Sequence, residues 1–225
     1  MYIYKLKMSS FNQIVNANLF NPDDIKYDNI KTGTNNNKTI NIKNKSTGFP
    51  IQLRTALMLT WGISDYEGNE KYEMSLQFPS EEYRSEKQQA FLDNMIAYEN
   101  KIKDDAIANS KAWFGKEIKS KEVIDAMWTP MLKYPKNKIT GEPDYDRAPS
   151  LRIKVPYWEG VFKTEMYDMS ERVLFPDPTD EKITPLTFIQ KNTNIALVIQ
   201  NGGIWFANGK FGTTWKMVQA VVQPK

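Results

Sequence analysis

The dipeptide Asn208-Gly209 restricts the fold of this chain more than any other two residues. Both tolerate the left-handed backbone of a two-residue type I′ turn, whose twist matches that of antiparallel strands. The flanks, N-G-G-I-W-F-A and K-F-G-T-T-W-K, are rich in strand-forming residues. With 208–209 as the turn, Ala207 faces Lys210, Phe206 faces Phe211, Trp205 faces Gly212 and Ile204 faces Thr213. Continuing the count, Gly202 faces Trp215 and Asn201 faces Lys216. Each tryptophan is then placed opposite a glycine, over whose bare backbone its ring can lie. Alternation gives a core face of Ile204, Phe206, Phe211 and Trp215, and a second face of Asn201, Trp205, Lys210 and Lys216.

Other segments extend this plan. Residues 31–48 are polar and turn-rich and read as a loop, with a short strand around Ile40 and Ile42. I-Q-L-R-T-A-L-M-L-T-W (51–61) alternates, with Ile51, Leu53, Leu57, Leu59 and Trp61 on one face and Gln52, Arg54 and Thr60 on the other. After the turn Y-E-G-N-E, K-Y-E-M-S-L-Q-F-P (71–79) completes a hairpin. Phe91, Met95, Tyr98 and Ile102 then recur at helical spacing, predicting an amphipathic helix over 80–114, capped by Ser80 and ended by Gly115. A shorter helix fits 120–128. Residues 129–150 carry Pro130, Pro135, Pro143 and Pro149 and read as a long loop. L-R-I-K-V (151–155) turns Leu151, Ile153 and Val155 inward and Arg152 and Lys154 outward. Y-W-E-G (157–160) reads as a turn between it and a strand over 161–167, and 172–175 as another strand. The expected class is mainly β with a helical insertion: one domain over 1–225, an OB-fold-like five-stranded Greek-key barrel, with helices at 80–128 and the Pro-rich loop at 129–150.

The sequence has neither cysteine nor histidine. Disulfides, Cys/His zinc sites and imidazole-dependent nucleophilic catalysis are therefore impossible. G-G-I-W-F-A-N-G-K-F misses the phosphate-binding P-loop pattern by one residue of spacing, and Phe211 stands where Ser or Thr would hold Mg²⁺. No pair of carboxylates is marked for catalysis, so no enzymatic activity and no cofactor are expected. The N-terminus lacks the apolar run of about 7–15 residues of a signal peptide, and no window suits a membrane span. An intracellular protein without membrane contact is expected. Met8 offers a second start, making residues 1–7 an extension. The net charge of +3 hides an uneven distribution. Five basic residues and no acid lie between Lys31 and Ser64, and five lysines and no acid follow Glu181.

Rings interleaved with cations on a sheet surface suit single-stranded nucleic acid, because bases stack on rings and lysines meet phosphates without a sequence code. Trp205, Lys210 and Lys216 form one candidate cluster. Tyr157, Trp158 and Phe162 beside Arg152, Lys154 and Lys163 form a second, and Arg54 is a further candidate contact. A tryptophan in a strand is equally an ordinary core or rim residue, so both roles stay open at this point. A virion or scaffold β-barrel making protein contacts is the alternative reading.

G-G-I-W-F-A-N-G-K-F-G-T-T-W-K-M-V-Q (202–219) resembles the C-terminal motif of the single-stranded DNA-binding proteins of nucleocytoplasmic large DNA viruses, similar in type to podophage replication proteins of that class. The resemblance implies an OB fold with a helical insertion. It implies binding to single-stranded DNA regardless of sequence, in viral replication, recombination or repair. Viral replication proteins are implied as partners, a homodimer is an open option, and the implied location is the host cytoplasm, in a viral factory, or the nucleus. Members commonly end in an acidic tail, whereas this sequence ends V-V-Q-P-K.

Overall fold

The computed structural model describes residues 14–33 and 37–223. The seven residues before Met8 lie outside them. Five strands close a barrel: β1 (Met58–Asp65), β2 (Tyr72–Gln77), β3 (Ser150–Lys154), β4 (Thr193–Ala207) and β5 (Lys210–Gln223). β1 pairs with β2, β2 with β3, β5 with β4 and β4 with β1, all antiparallel, while β3 and β5 run parallel. This order, 1-2-3-5-4-1, is the Greek-key barrel expected of an OB-like fold. The long helix lies between β2 and β3.

The barrel interior follows from period-two alternation. Met74 and Leu76, Leu151 and Ile153, Ile195, Leu197 and Ile199, and Phe211, Trp215 and Met217 are all buried. β1 departs from the expected faces. The stretch 51–61 is not one strand. It breaks after Gln52–Arg54, where the backbone N–H of Thr55 donates to Leu197 and its hydroxyl turns to Ala56 O. The chain re-enters as β1 with its parity reversed. Met58 and Thr60 point inward, and Leu57 and Trp61 are exposed. Strict alternation over 51–61 would keep Trp61 on the face of the buried Ile51 and Leu53 and Thr60 on the opposite one.

β4 and β5 outrun the barrel. At about 3.4 Å per residue, the 15 residues of β4 would span roughly 50 Å if straight. The hairpin bends instead, at register shifts between Val198 and Ile199 and between Asn201 and Ile204. Its tip is flanked by Lys38–Ile40, pairing with β4, and by Trp128–Thr129, pairing with β5. The 31–48 segment therefore contributes more strand than expected, with Lys31–Thr32 and Ile42–Asn44 as well.

Helix α1 (Glu86–Ala108) covers one end of the barrel. Phe91, Met95, Tyr98 and Ile102 are all buried, as their spacing predicts, and Tyr98 packs on Trp215 with ring centroids 5.7 Å apart. Its N-cap is Ser85, not Ser80. The Ser85 hydroxyl accepts from Gln88 N at 3.3 Å, and the Gln88 side chain accepts from Ser85 N at 3.0 Å. Ser80 instead precedes a 3-10 turn, Glu81–Tyr83. Two short helices follow: α2 (Ser110–Phe114), closed by Gly115 at φ 77°, and α3 (Lys121–Met127), capped by Ser120.

Glu99 of α1 ties the helix to the barrel rim. Its carboxylate accepts from Met131 N at 2.6 Å and Leu132 N at 3.4 Å. Burial raises its pKa, and these N–H groups and Lys103 act against that rise. Two lysines of the helix are engaged as well: Lys101 pairs with Asp105 at 2.6 Å and Lys103 with Asp125 at 2.9 Å. Reversing both charges should leave affinity for single strands within about threefold, because these pairs lie on the helix rather than on the outer sheet face. An oligo-dT titration of the double variant checks this, and a tenfold loss would place the helix in the binding channel.

Candidate nucleic-acid interface

Near the turn the hairpin pairs as its sequence predicts. Ala207–Lys210, Phe206–Phe211, Trp205–Gly212 and Ile204–Thr213 are observed, with Asn208 and Gly209 at φ 49° and 73°. Beyond Ile204 the register shifts by one, so Trp215 faces Asn201 and Lys216 faces Gln200. Asn201 is therefore buried rather than outward. Its Nδ2 donates to Thr213 Oγ1 at 2.9 Å, and its Oδ1 accepts from Gly203 N at 2.8 Å. The expected Gly202–Trp215 pair does not form.

Trp205 keeps the position its sequence predicts. A Cβ built on Gly212 would come within 2.9 Å of the Trp205 ring, so the indole lies against the bare backbone opposite. Gly202 makes room in the same way, chiefly for Thr214, whose Oγ1 would be 2.8 Å from a Cβ there, and then for Lys216, whose Cε would be 3.2 Å away. The parallel pairing of β3 and β5 sets Lys154 directly beside Lys216. Arg152 lies two residues back on the same outward face, its Nε 3.5 Å from Glu73 on β2. A groove of about 130 Å³ joins Trp205, Arg152, Lys154 and Glu73 beneath the rim at Thr129–Met131. One ring from β4, lying across β5, thus meets three cations and one acid on the outer surface of β2, β3 and β5.

The other candidates are placed differently. Lys210 is exposed, but its ammonium donates to Ala126 O at 2.6 Å, in the last turn of α3, where a cation meets the negative helix end. It borders an apolar hollow with Trp113, Phe114 and Phe206, not the Trp205 groove. Residues 157–160 are more than a turn: Tyr157–Trp158 pairs with Val161–Phe162 as a separate two-stranded hairpin. The rings of the second cluster therefore lie off the barrel sheet that carries its Arg152 and Lys154, and the strand expected over 161–167 is split between Val161–Phe162 and Glu165–Asp168. Within it Phe162 is buried and Tyr157 packs edge-on against Tyr72 at 5.1 Å. Trp158 is 68% exposed, and Lys163 is also exposed. This hairpin follows the Lys154 end of β3 after Val155 and Pro156. Arg54 lies apart. It pairs with Val198, seven residues along β4 from Trp205 and on the far side of both register shifts.

Trp61 was missed as a surface ring. It is 48% exposed, its Nε1 donates to Gln77 Oε1 at 3.0 Å, and the Lys191 ammonium lies 5.4 Å from its ring centroid. A signal was available in Gly62, directly after it. Gly62 adopts φ 89°, and a Cβ there would come 3.0 Å from Lys191 N. An interior glycine in a strand commonly marks a bulge, and β1 shifts register between Thr60 and Ile63.

No family model matches this chain, and no curated protein does. Among solved structures the chain is similar to the single-stranded DNA-binding protein from bacteriophage Enc34. The C-terminally truncated form aligns at 13% identity and a TM-score of 0.44, over 89% of this chain and 96% of that one. The same phage protein in complex with single-stranded DNA aligns at 12% identity and a TM-score of 0.43, over 88% and 95%.

Proposed function

We propose that this chain binds single-stranded DNA without reading its sequence. One observation carries the reading: the Trp205 indole, seated over Gly212, shares a groove with Arg152 and Lys154, and Lys154 stands beside Lys216. Bases would stack on the ring while the three cations meet phosphates, the division of labour that single-strand binding needs. Trp158 and Lys163 would continue the path past Lys154, with Tyr157 holding their hairpin in place. Lys210 and Arg54 fit less well, the first being fastened to α3 and the second distant. The role this reading suits is protection of exposed single strands in viral replication, recombination or repair, alongside replication proteins of the same virus.

The test is tryptophan fluorescence titrated with oligo-dT, oligo-rU and duplex at several salt concentrations. Oligo-dT should quench, duplex should bind weakly, and the log–log salt slope should be roughly −2 to −4 for three to five phosphates neutralised. Trp205→Ala should cost about 1–3 kcal/mol of binding, the usual worth of one stacked base. Lys154→Ala and Lys216→Ala should each flatten the slope by about 0.7. A protein that binds no oligonucleotide would favour the scaffold reading, and preference for oligo-rU would redirect it to RNA.

A further inference from the structure

We propose that a second groove, centred on Trp61, is a base-stacking subsite for the same strand that enters at Trp205. This rests on the single-strand reading above and extends its path by a separate set of residues. The groove has a volume of about 810 Å³ and lies between the Pro-rich loop and a wall formed by residues 78–84 and α1, with Trp61 of β1 and Gln77 of β2 at its sheet edge.

Two rings project into it. Trp61 is 48% exposed and is held at its edge, since Gln77 accepts from its Nε1. Gln77 is itself fixed, its Nε2 donating to the carbonyls of Phe78, Ala148 and Pro149 at 2.9–3.2 Å. An indole oriented by a clamped amide keeps its face presented without further ordering cost when a base arrives. Tyr145 is 73% exposed and packs against Tyr134, with centroids 4.7 Å apart. Beside them stands Arg147, exposed, with no side-chain ion pair among the described residues. The acids of the groove, Glu81 and Asp93, sit on the helix-side wall, and Asp146 is in the loop. Phosphates would therefore pass along the loop side, near Arg147 and away from the helix-side acids, with the bases turned to the rings.

The register joins this groove to the first. Arg152 faces Ser75, so its diagonal neighbours on β2 are Glu73 and Gln77, each about 7–8 Å away. Glu73 belongs to the Trp205 groove and Gln77 to the Trp61 groove. Arg152 thus stands between them, with only the short side chain of Ser75 opposite, and a strand can cross the β2 surface from one to the other. The pattern explains a use for the long loop that the barrel itself does not require, since Tyr145 and Arg147 come from it.

The experiment is a titration of the full chain with oligo-dT of increasing length, about 4 to 20 nucleotides, using Trp61→Ala, Trp61→Phe, Tyr145→Ala and Arg147→Ala. For the longest oligonucleotide, Trp61→Ala should lose about 5- to 100-fold in affinity, and Trp61→Phe should recover most of it. Tyr145→Ala should lose affinity too, with little change in its urea midpoint, because its ring is mostly outside. Arg147→Ala should reduce the salt slope by about 0.7. The gain in wild-type affinity with length should stop earlier in Trp61→Ala. If Trp61→Ala and Tyr145→Ala both bind the longest strand as wild type does while Trp205→Ala is impaired, the subsite is overturned and the single-strand reading survives. If wild type binds no oligonucleotide at any length, both fall together.

Discussion

Phe211→Ala is expected to destabilise the fold by about 3–5 kcal/mol, while whatever stays folded binds oligo-dT within about threefold of wild type. Phe211 is fully buried and connects three elements at the hairpin tip. Its ring stacks on Phe206 across the strand pair, with centroids 6.2 Å apart, and meets Phe114 of α2 at 5.2 Å and Trp128 on the rim at 5.1 Å, both edge-on. Truncation removes the transfer free energy of the ring and leaves a cavity bounded by a hairpin, a helix end and a rim strand. The strands cannot close that gap without breaking their ladder, so little relaxation offsets the loss. Trp205, one strand position from Phe206, points the other way and should show the reverse profile: impaired binding and a small stability change. Urea melts and oligo-dT titrations of both variants decide the matter. A Phe211→Ala protein with an unchanged melt and lost binding would mean the two faces of the hairpin are exchanged.

The parts legible in the sequence are those fixed by neighbours a few residues apart. Asn208-Gly209 set the turn and the four pairs next to it, and the spacing of Phe91, Met95, Tyr98 and Ile102 set the buried stripe of α1. Alternation in L-R-I-K-V put Arg152 and Lys154 outside. The failures are long-range. Period two carried across Thr55-Ala56-Leu57 groups Trp61 with Ile51 and Leu53, yet the chain breaks at Thr55, which bonds with Leu197, 142 positions away. The local pattern also gives no sign of the acceptor of Lys210, Ala126 O, 84 positions distant. Nothing local to Trp205 indicates that Arg152 and Lys154 share its groove. That follows from the parallel register of β3 on β5, two strands separated in sequence by β4 and the segment before it. Candidate residue types were therefore readable, whereas their grouping depended on barrel closure.

Gly203→Ala is expected to cost about 2–5 kcal/mol, more than any exposed substitution on the proposed binding face should cost the fold. Counting pairs outward from the turn assigned Gly202 the role of making room for Trp215, with no special part for Gly203. The observed register gives the second glycine the stricter one. Gly203 sits at φ 81°, and a Cβ there would collide with the carbonyl oxygen of Ile40 and press on the Asn41 backbone. An L-residue in that conformation costs roughly 1–2 kcal/mol by itself. The collision adds to it, because Lys38–Ile40 is held to β4 by its own ladder and cannot simply withdraw. Buried polar groups are also at stake: Gly203 N donates to Asn201 Oδ1 and Gly203 O accepts from Thr213 Oγ1, so any displacement strands partners that have no water to turn to. Gly209→Ala supplies the control. Its φ is 73°, but nothing lies within 4 Å of the added Cβ, so only the conformational cost of about 1–2 kcal/mol applies. Urea melts of the two variants should separate by at least about 1 kcal/mol in that order. Equal costs would show that Ile40 does not press on the bulge, and with that the shift that buries Asn201 would lose its cause.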